Sequence, residues 1–139
     1  MKNGFYFHPY QKHPSNVDKN FGIINSIRER SAVTGACLLI KNSIFKEIGG
    51  FDEVFDVYYG DSDLCLSAQK LGYKVLYNPY AILRHDGSSI IQTISKVFIP
   101  VENHHDLIKK WPSLINGDPY YNSNLGFDYE LPNVESFYA

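Results

Sequence analysis

The stretch GGFDEVFDVYYGDSDLCLSAQKLGYKVLYNPYAILRHDG, residues 49 to 87, decides how this chain is read. It sets a Gly pair, an Asp-x-Asp step, a second Gly, a short apolar run and a His in that order. Asp61 reads as the N-cap of a helix, Asp63 falls in its first turn near the positive helix end, and Gly72 supplies the left-handed stop. Leu64, Ala68 and Leu71 recur at i, i+4 and i+7, the stripe of a core-facing helix. KVLY (74–77) then reads as a strand stopped by Asn78-Pro79, and AILRH (81–85) as a second extended piece. A carboxylate and an imidazole are thereby offered at the ends of regular elements, facing one edge.

Upstream, SAVTGACLLIK (31–41) reads as a buried strand. Gly35 in its interior marks a bulge or a ligand pressed against the backbone. Asn42 caps a short helix with Ile44, Phe45 and Ile48 on its apolar face, ended by Gly49 or Gly50. Phe21 to Arg30 holds one turn of helical spacing, which leaves helix and strand both open. Residues 1 to 20 show no period and read as a loop. Downstream, SSIIQTISKVFI (88–99) and, after Pro100, VENHHDLIKKW (101–111) are helical in pattern. The remainder, from Leu114, is dense in turn residues and should wrap the surface. The expected division is a lead-in over 1–30, a principal unit over 31–125 and an irregular tail over 126–139.

A chain of 139 residues has the size of one domain, able to bury roughly 68% of its unfolded surface. With 44% hydrophobic and 20% charged residues it should fold over most of its length. The net charge of −2 gives no reason to expect a nucleic acid or an anionic membrane as partner. No apolar run reaches the ~18 residues a membrane span needs, and the polar start lacks the core of a signal peptide. Cys37 and Cys65 lack metal-site spacing and read as buried free thiols, which fits a reducing cytoplasm.

Two acids at a helix start are ordinarily caps. Residues at i and i+2 do not share a helical face, so at most one of Asp61 and Asp63 faces a given pocket. Asp61 has the freer approach and could accept a proton from a hydroxyl group, while Asp63 reads as structural. His85, 24 positions after Asp61 and flanked by Arg84 and Asp86, marks an edge. With oxygen ligands from elsewhere it could hold Mn²⁺ or Mg²⁺. His104 and His105 read as surface residues. No nucleophile elbow, Cys/His pair, P-loop or GxGxxG is present.

Four blocks in order resemble the acceptor-side, carboxy-terminal portion of a family 2 inverting glycosyltransferase of the GT-A fold: SAVTGACLLIK with IFKEIGGFDE, YYGDSDLCLSAQKLGY, NPYAILRHDGSS, and WPSLINGDPYYNSNL. The last is similar to segments of rhamnosyltransferase-like members that build bacterial surface polysaccharides. The resemblance covers Ser31 to Leu125. It implies an α/β chain, a partial GT-A (nucleotide-diphospho-sugar transferase) fold with a mixed sheet and flanking helices. It also implies one-step transfer from a nucleotide-diphospho-sugar to a saccharide or lipid-linked acceptor. Asp61 corresponds to the general base and His85 to the metal ligand. Thr34, Gly35, Asp52, Tyr59 and Asp63 fall among substrate-binding positions. Mn or Mg would be held only together with the nucleotide-binding half, which this sequence does not contain, so a fragment is expected.

Gly60 stands where an acidic or amide residue is usual, and Ser67 where a basic one is common. Gly60 favours the alternative, a non-catalytic carbohydrate-binding or assembly module derived from such an enzyme. An open sheet edge would favour a homo-oligomer. The location implied is the cytoplasm, with a peripheral place at the membrane as the second choice.

Overall fold

A computed structural model describes residues 22–55, 58–84 and 101–121. The lead-in before Gly22, the helical pattern at 88–99 and the tail after Tyr121 lie outside the described residues. In chain order the elements are a 3-10 turn Ile23–Asn25, β1 (Arg28–Glu29), a 3-10 turn Gly35–Cys37, α1 (Asn42–Ile48), α2 (Gly60–Lys70), β2 (Leu76–Tyr77), α3 (Val101–Lys110) and a 3-10 turn Pro112–Asn116. The arrangement is compatible with an α/β class. The sheet seen among the described residues is a two-stranded antiparallel pair rather than a mixed sheet.

That pair is short: Arg28 lies opposite Tyr77 and Glu29 opposite Leu76. It is lengthened by Arg30 N–H donating to Val75 O at 3.0 Å, and Glu29 and Lys74 form an ion pair beside it. Two strands alone are marginal in water. Gln69 of α2 ties the continuation of β1 to the helix by donating to Arg30 O and Ser31 O.

Helix α2 is the centre of the fold. Ser62 to Leu66 and Ala68 are all buried, with Leu64 only 1% exposed. Its end follows the sequence signal. Gly72 (φ 86°) adopts the left-handed conformation, Gly72 N–H donates to Gln69 O and Tyr73 N–H to Ala68 O, the paired bonds of a Schellman stop. Helix α1 ends the same way, with Gly50 N–H donating to Phe45 O and Gly49 N–H to Lys46 O. Ile44, Phe45 and Ile48 form its half-buried face, as the spacing predicts. Helix α3 presents His104, Leu107, Ile108 and Trp111 at i, i+3, i+4 and i+7. Leu107 joins Phe55, Tyr59, Leu66 and Leu114 in the core, and Ile108 and Trp111 pack against it.

Several expectations are corrected. SAVTGACLLIK is not a buried strand: it turns into the 3-10 helix at Gly35–Cys37 and leaves Leu39 fully exposed. Apolar composition does not make a strand where no neighbouring chain satisfies the backbone. Helix α2 begins two residues early, at Gly60, so Asp61 lies inside the first turn and the cap position is Tyr59 (φ 69°). A left-handed tyrosine costs about 1–2 kcal/mol. Burial of its ring, 8% exposed, offsets this with roughly 1.5–3 kcal/mol. Helix α1 likewise includes Asn42, and the cap position is Lys41. Leu71, past the helix end, is 47% exposed and leaves the stripe. Cys37 is exposed, while Cys65 is buried and both are free thiols. His104 is buried because it sits one turn from Leu107 on the apolar face of α3, whereas His105 is exposed.

Candidate functional site

One face of α2 grips one strand-like segment. Asp61, Cys65 and Gln69 stand at i, i+4 and i+8, so they share a helical face. Gln69 Nε2 donates to Arg30 O and Ser31 O, both at 2.9 Å. Cys65 Sγ lies 4.0 Å from Val33 O. Asp61 Oδ2 accepts from Gly35 N–H at 2.7 Å. The segment from Arg30 to Gly35 therefore runs antiparallel to the helix, held at three successive levels over about 12 Å.

The Asp61 carboxylate is the last of these holds. Its other oxygen, Oδ1, accepts from Ser62 N–H at 2.7 Å and from the Ser62 hydroxyl at 3.3 Å. Gly35 is required here by close approach: a Cβ at this position would meet Asp61 Cβ at 3.2 Å and Oδ2 at 3.4 Å. Thr34 Oγ1 accepts from Ala36 N–H at 3.4 Å and caps the 3-10 turn. Thr34 and Gly35 thus stand beside Asp61, and the turn Gly35–Cys37 is exposed.

Asp63 points elsewhere, as its i+2 offset from Asp61 dictates. Its carboxylate, 3% exposed, accepts from Trp111 Nε1 at 2.7 Å and from Lys110 Nζ at 2.9 Å. Lys110 Nζ also donates to Asp52 Oδ2 at 2.7 Å, while Asp52 Oδ1 accepts from Val54 N–H at 3.0 Å. Partial burial pulls the Lys110 ammonium down, but its hydrogen bonds to Asp52 and Asp63 outweigh that and leave it above the usual lysine value. The same lysine bond, with that from Val54, holds Asp52 below the usual carboxylate range. Burial pushes the Tyr59 phenol and the Cys65 thiol up.

Of the residues singled out in the sequence, Asp61, Thr34 and Gly35 come together on one side of α2. Asp52 and Asp63 come together on the other, through Lys110. Tyr59 lies in the core, its ring centroid 6.2 Å from that of His104. His85 lies outside the described residues. Sequence reasoning did not find Gln69, Lys110 or Trp111. The i+8 spacing from Asp61 to Gln69 was visible, but its backbone partners were not. Among the described residues no group of three or more His, Cys, Asp or Glu side chains could hold a metal ion. No helix among them is long and apolar enough to cross a membrane.

No protein-family model matches the chain, and no solved structure matches it. Curated proteins do. The chain is 35% identical over 102 residues to the uncharacterized protein y4gI of Sinorhizobium fredii, a match covering 70% of this chain and 11% of that protein. It is 30% identical over 126 residues to the O-antigen biosynthesis protein RfbC of Myxococcus xanthus, covering 88% of this chain and 10% of that protein. Over 58 residues it is 40% identical to the N-acetylglucosaminyl-diphospho-decaprenol L-rhamnosyltransferase of Mycobacterium tuberculosis, covering 41% of this chain and 19% of that one. The chain thus spans between a tenth and a fifth of the length of these relatives. The names of the latter two assign those proteins to O-antigen biosynthesis and to rhamnosyl transfer.

Proposed function

We propose that the chain is the acceptor-side, carboxy-terminal portion of an inverting family 2 glycosyltransferase of GT-A architecture. In this reading the complete enzyme transfers a sugar from a nucleotide-diphospho-sugar to a saccharide or lipid-linked acceptor during surface polysaccharide synthesis. The observation that carries it is the Asp61 carboxylate. It is fixed in the first turn of α2 by Gly35 N–H and Ser62 N–H, beside an exposed turn. A carboxylate so held can take the proton of an acceptor hydroxyl as that oxygen attacks the anomeric carbon. Thr34 and Gly35, which stand beside Asp61, would touch the acceptor. Asp52 and Asp63, joined through Lys110, hold the start of α2 and position Asp61.

The resemblance also implies Mn or Mg held with His85. The described residues do not assemble such a site. One observation favours the second reading, a carbohydrate-binding or assembly module without catalysis. A Cβ at Gly60 would lie 3.0 Å from Phe55 O, so the acidic or amide side chain usual before the base has little room. The test is Asp61→Asn in the full-length protein with its donor and acceptor. Turnover should fall by about 10²-fold or more, and near-normal turnover would sink the assignment.

A further inference from the structure

The face of α2 that carries Asp61 also carries Gln69, and the two hold opposite ends of one stretch of chain. Gln69 Nε2 donates to successive carbonyls, Arg30 O and Ser31 O, each at 2.9 Å. That end is anchored from two further directions. Arg30 N–H donates to Val75 O at 3.0 Å, and the Ser31 hydroxyl donates to Asp118 Oδ1 at 2.5 Å. The other end is Gly35, whose N–H meets Asp61 Oδ2 at 2.7 Å beside the exposed turn.

Length leaves little slack between the two holds. Only Ala32, Val33 and Thr34 separate them, and so short a stretch spans at most about 10–11 Å when fully extended. The step from Asp61 to Gln69 along α2 rises about 12 Å. Thr34 is extended, at φ −67° and ψ 139°, as a taut chain requires. Register matters because Gly35 is the residue that fits. A Cβ in its place would meet Asp61 Cβ at 3.2 Å, and both of its neighbours, Thr34 and Ala36, carry one. A slip of one residue, about 3.3 Å, would take the Gly35 N–H out of hydrogen-bond reach of the carboxylate.

We propose that Gln69 is a positioning residue for Asp61. It sets the register of the Ala32–Thr34 stretch along α2, and thereby the place of the Gly35 N–H that orients the carboxylate. Gln69 acts only through Asp61 and touches no substrate in this role. Its effect on turnover rests on the reading of Asp61 as the general base, whereas the mechanical link to Gly35 does not.

Two variants and two measurements test this. Gln69→Met keeps the length of the side chain and removes its donors, and Gln69→Asn keeps the amide but shortens its reach by one methylene. In the isotopically labelled full chain, the Gly35 amide proton should move upfield in Gln69→Met, in the same direction as in Asp61→Ala, and by less in Gln69→Asn. The indole N–H of Trp111, bonded to Asp63 on the other side of α2, should keep its position and so report an intact fold. In the full-length protein, Gln69→Met should lower kcat about tenfold or more and leave KM for the acceptor within about twofold. In the Asp61→Asn background the same change should cost nothing further, since a positioning residue acts through the group it positions. The proposal is overturned by an unmoved Gly35 resonance in both variants, or by an equal loss of turnover with and without the Asp61 carboxylate. Near-normal turnover of Asp61→Asn by itself would instead remove the general-base reading, and the Gly35 resonance would still decide the link to Gln69.

Discussion

Asp61 Oδ2 accepts the Gly35 N–H at 2.7 Å, and a Cβ on Gly35 would stand 3.2 Å from Asp61 Cβ. The proposed base and the turn that borders it are thus packed backbone against side chain, so that a methyl group would fit only by pushing the two a few tenths of an ångström apart. This contact sets where the carboxylate sits relative to anything bound over the Gly35–Cys37 turn. It also gives Asp61 a structural task beside its proposed chemical one, so the two must be separated experimentally.

Gly35→Ala separates them from the structural side. The added methyl is met by a Cβ, not by a mobile side-chain end, so the turn must move away from α2. A loss of about 1 kcal/mol is expected, read as a lower denaturant midpoint with an unchanged slope. Unchanged stability would mean that the segment is not held against Asp61.

The Asp52–Lys110–Asp63 bridge makes a second prediction. Asp63→Ala removes a buried carboxylate and leaves Trp111 Nε1 without its acceptor, at a cost of about 2–3 kcal/mol. Lys74→Ala should cost much less, since the Glu29–Lys74 pair lies at the surface. Chemical denaturation of the two variants checks the order.

The bridge also fixes a pH window. Lys110 is raised in the fold, so its contribution is full below the unfolded lysine value, about 10.4, and is lost as pH rises through the higher folded value. Asp52 is lowered, so its contribution is full above the unfolded aspartate value, about 3.9, and is lost as pH falls through the lower folded value. Thermal midpoints of wild type and Lys110→Met should therefore differ most between these limits and converge outside them. A pH-independent difference would show that packing, not charge, accounts for Lys110.

Thiol chemistry offers a direct check of the fold. Cys37 is exposed and Cys65 is buried, with its thiol pushed up by desolvation. A thiol-specific reagent should modify Cys37 quickly in the native chain and Cys65 only on unfolding. Mass spectrometry of peptides would show this, and equal labelling at both would contradict the burial of α2.

The sequence by itself determined the regular elements whose signals are local. Gly49 and Gly72 stop α1 and α2 where the pattern said, because left-handed backbone is cheap only for glycine. The i+2 offset of Asp61 and Asp63 foretold that the two carboxylates would part, since helix geometry alone fixes it. Only the tertiary structure decided what each of them meets. That Asp63 is neutralised by Lys110, 47 residues away, and Asp61 held by Gly35, 26 residues away, follows from how α3 and the Arg30–Gly35 segment pack on opposite sides of α2. The apolar run after Gly35 misled for the same reason. A strand exists only where another chain segment completes its hydrogen bonds, and no local pattern records where that segment will lie.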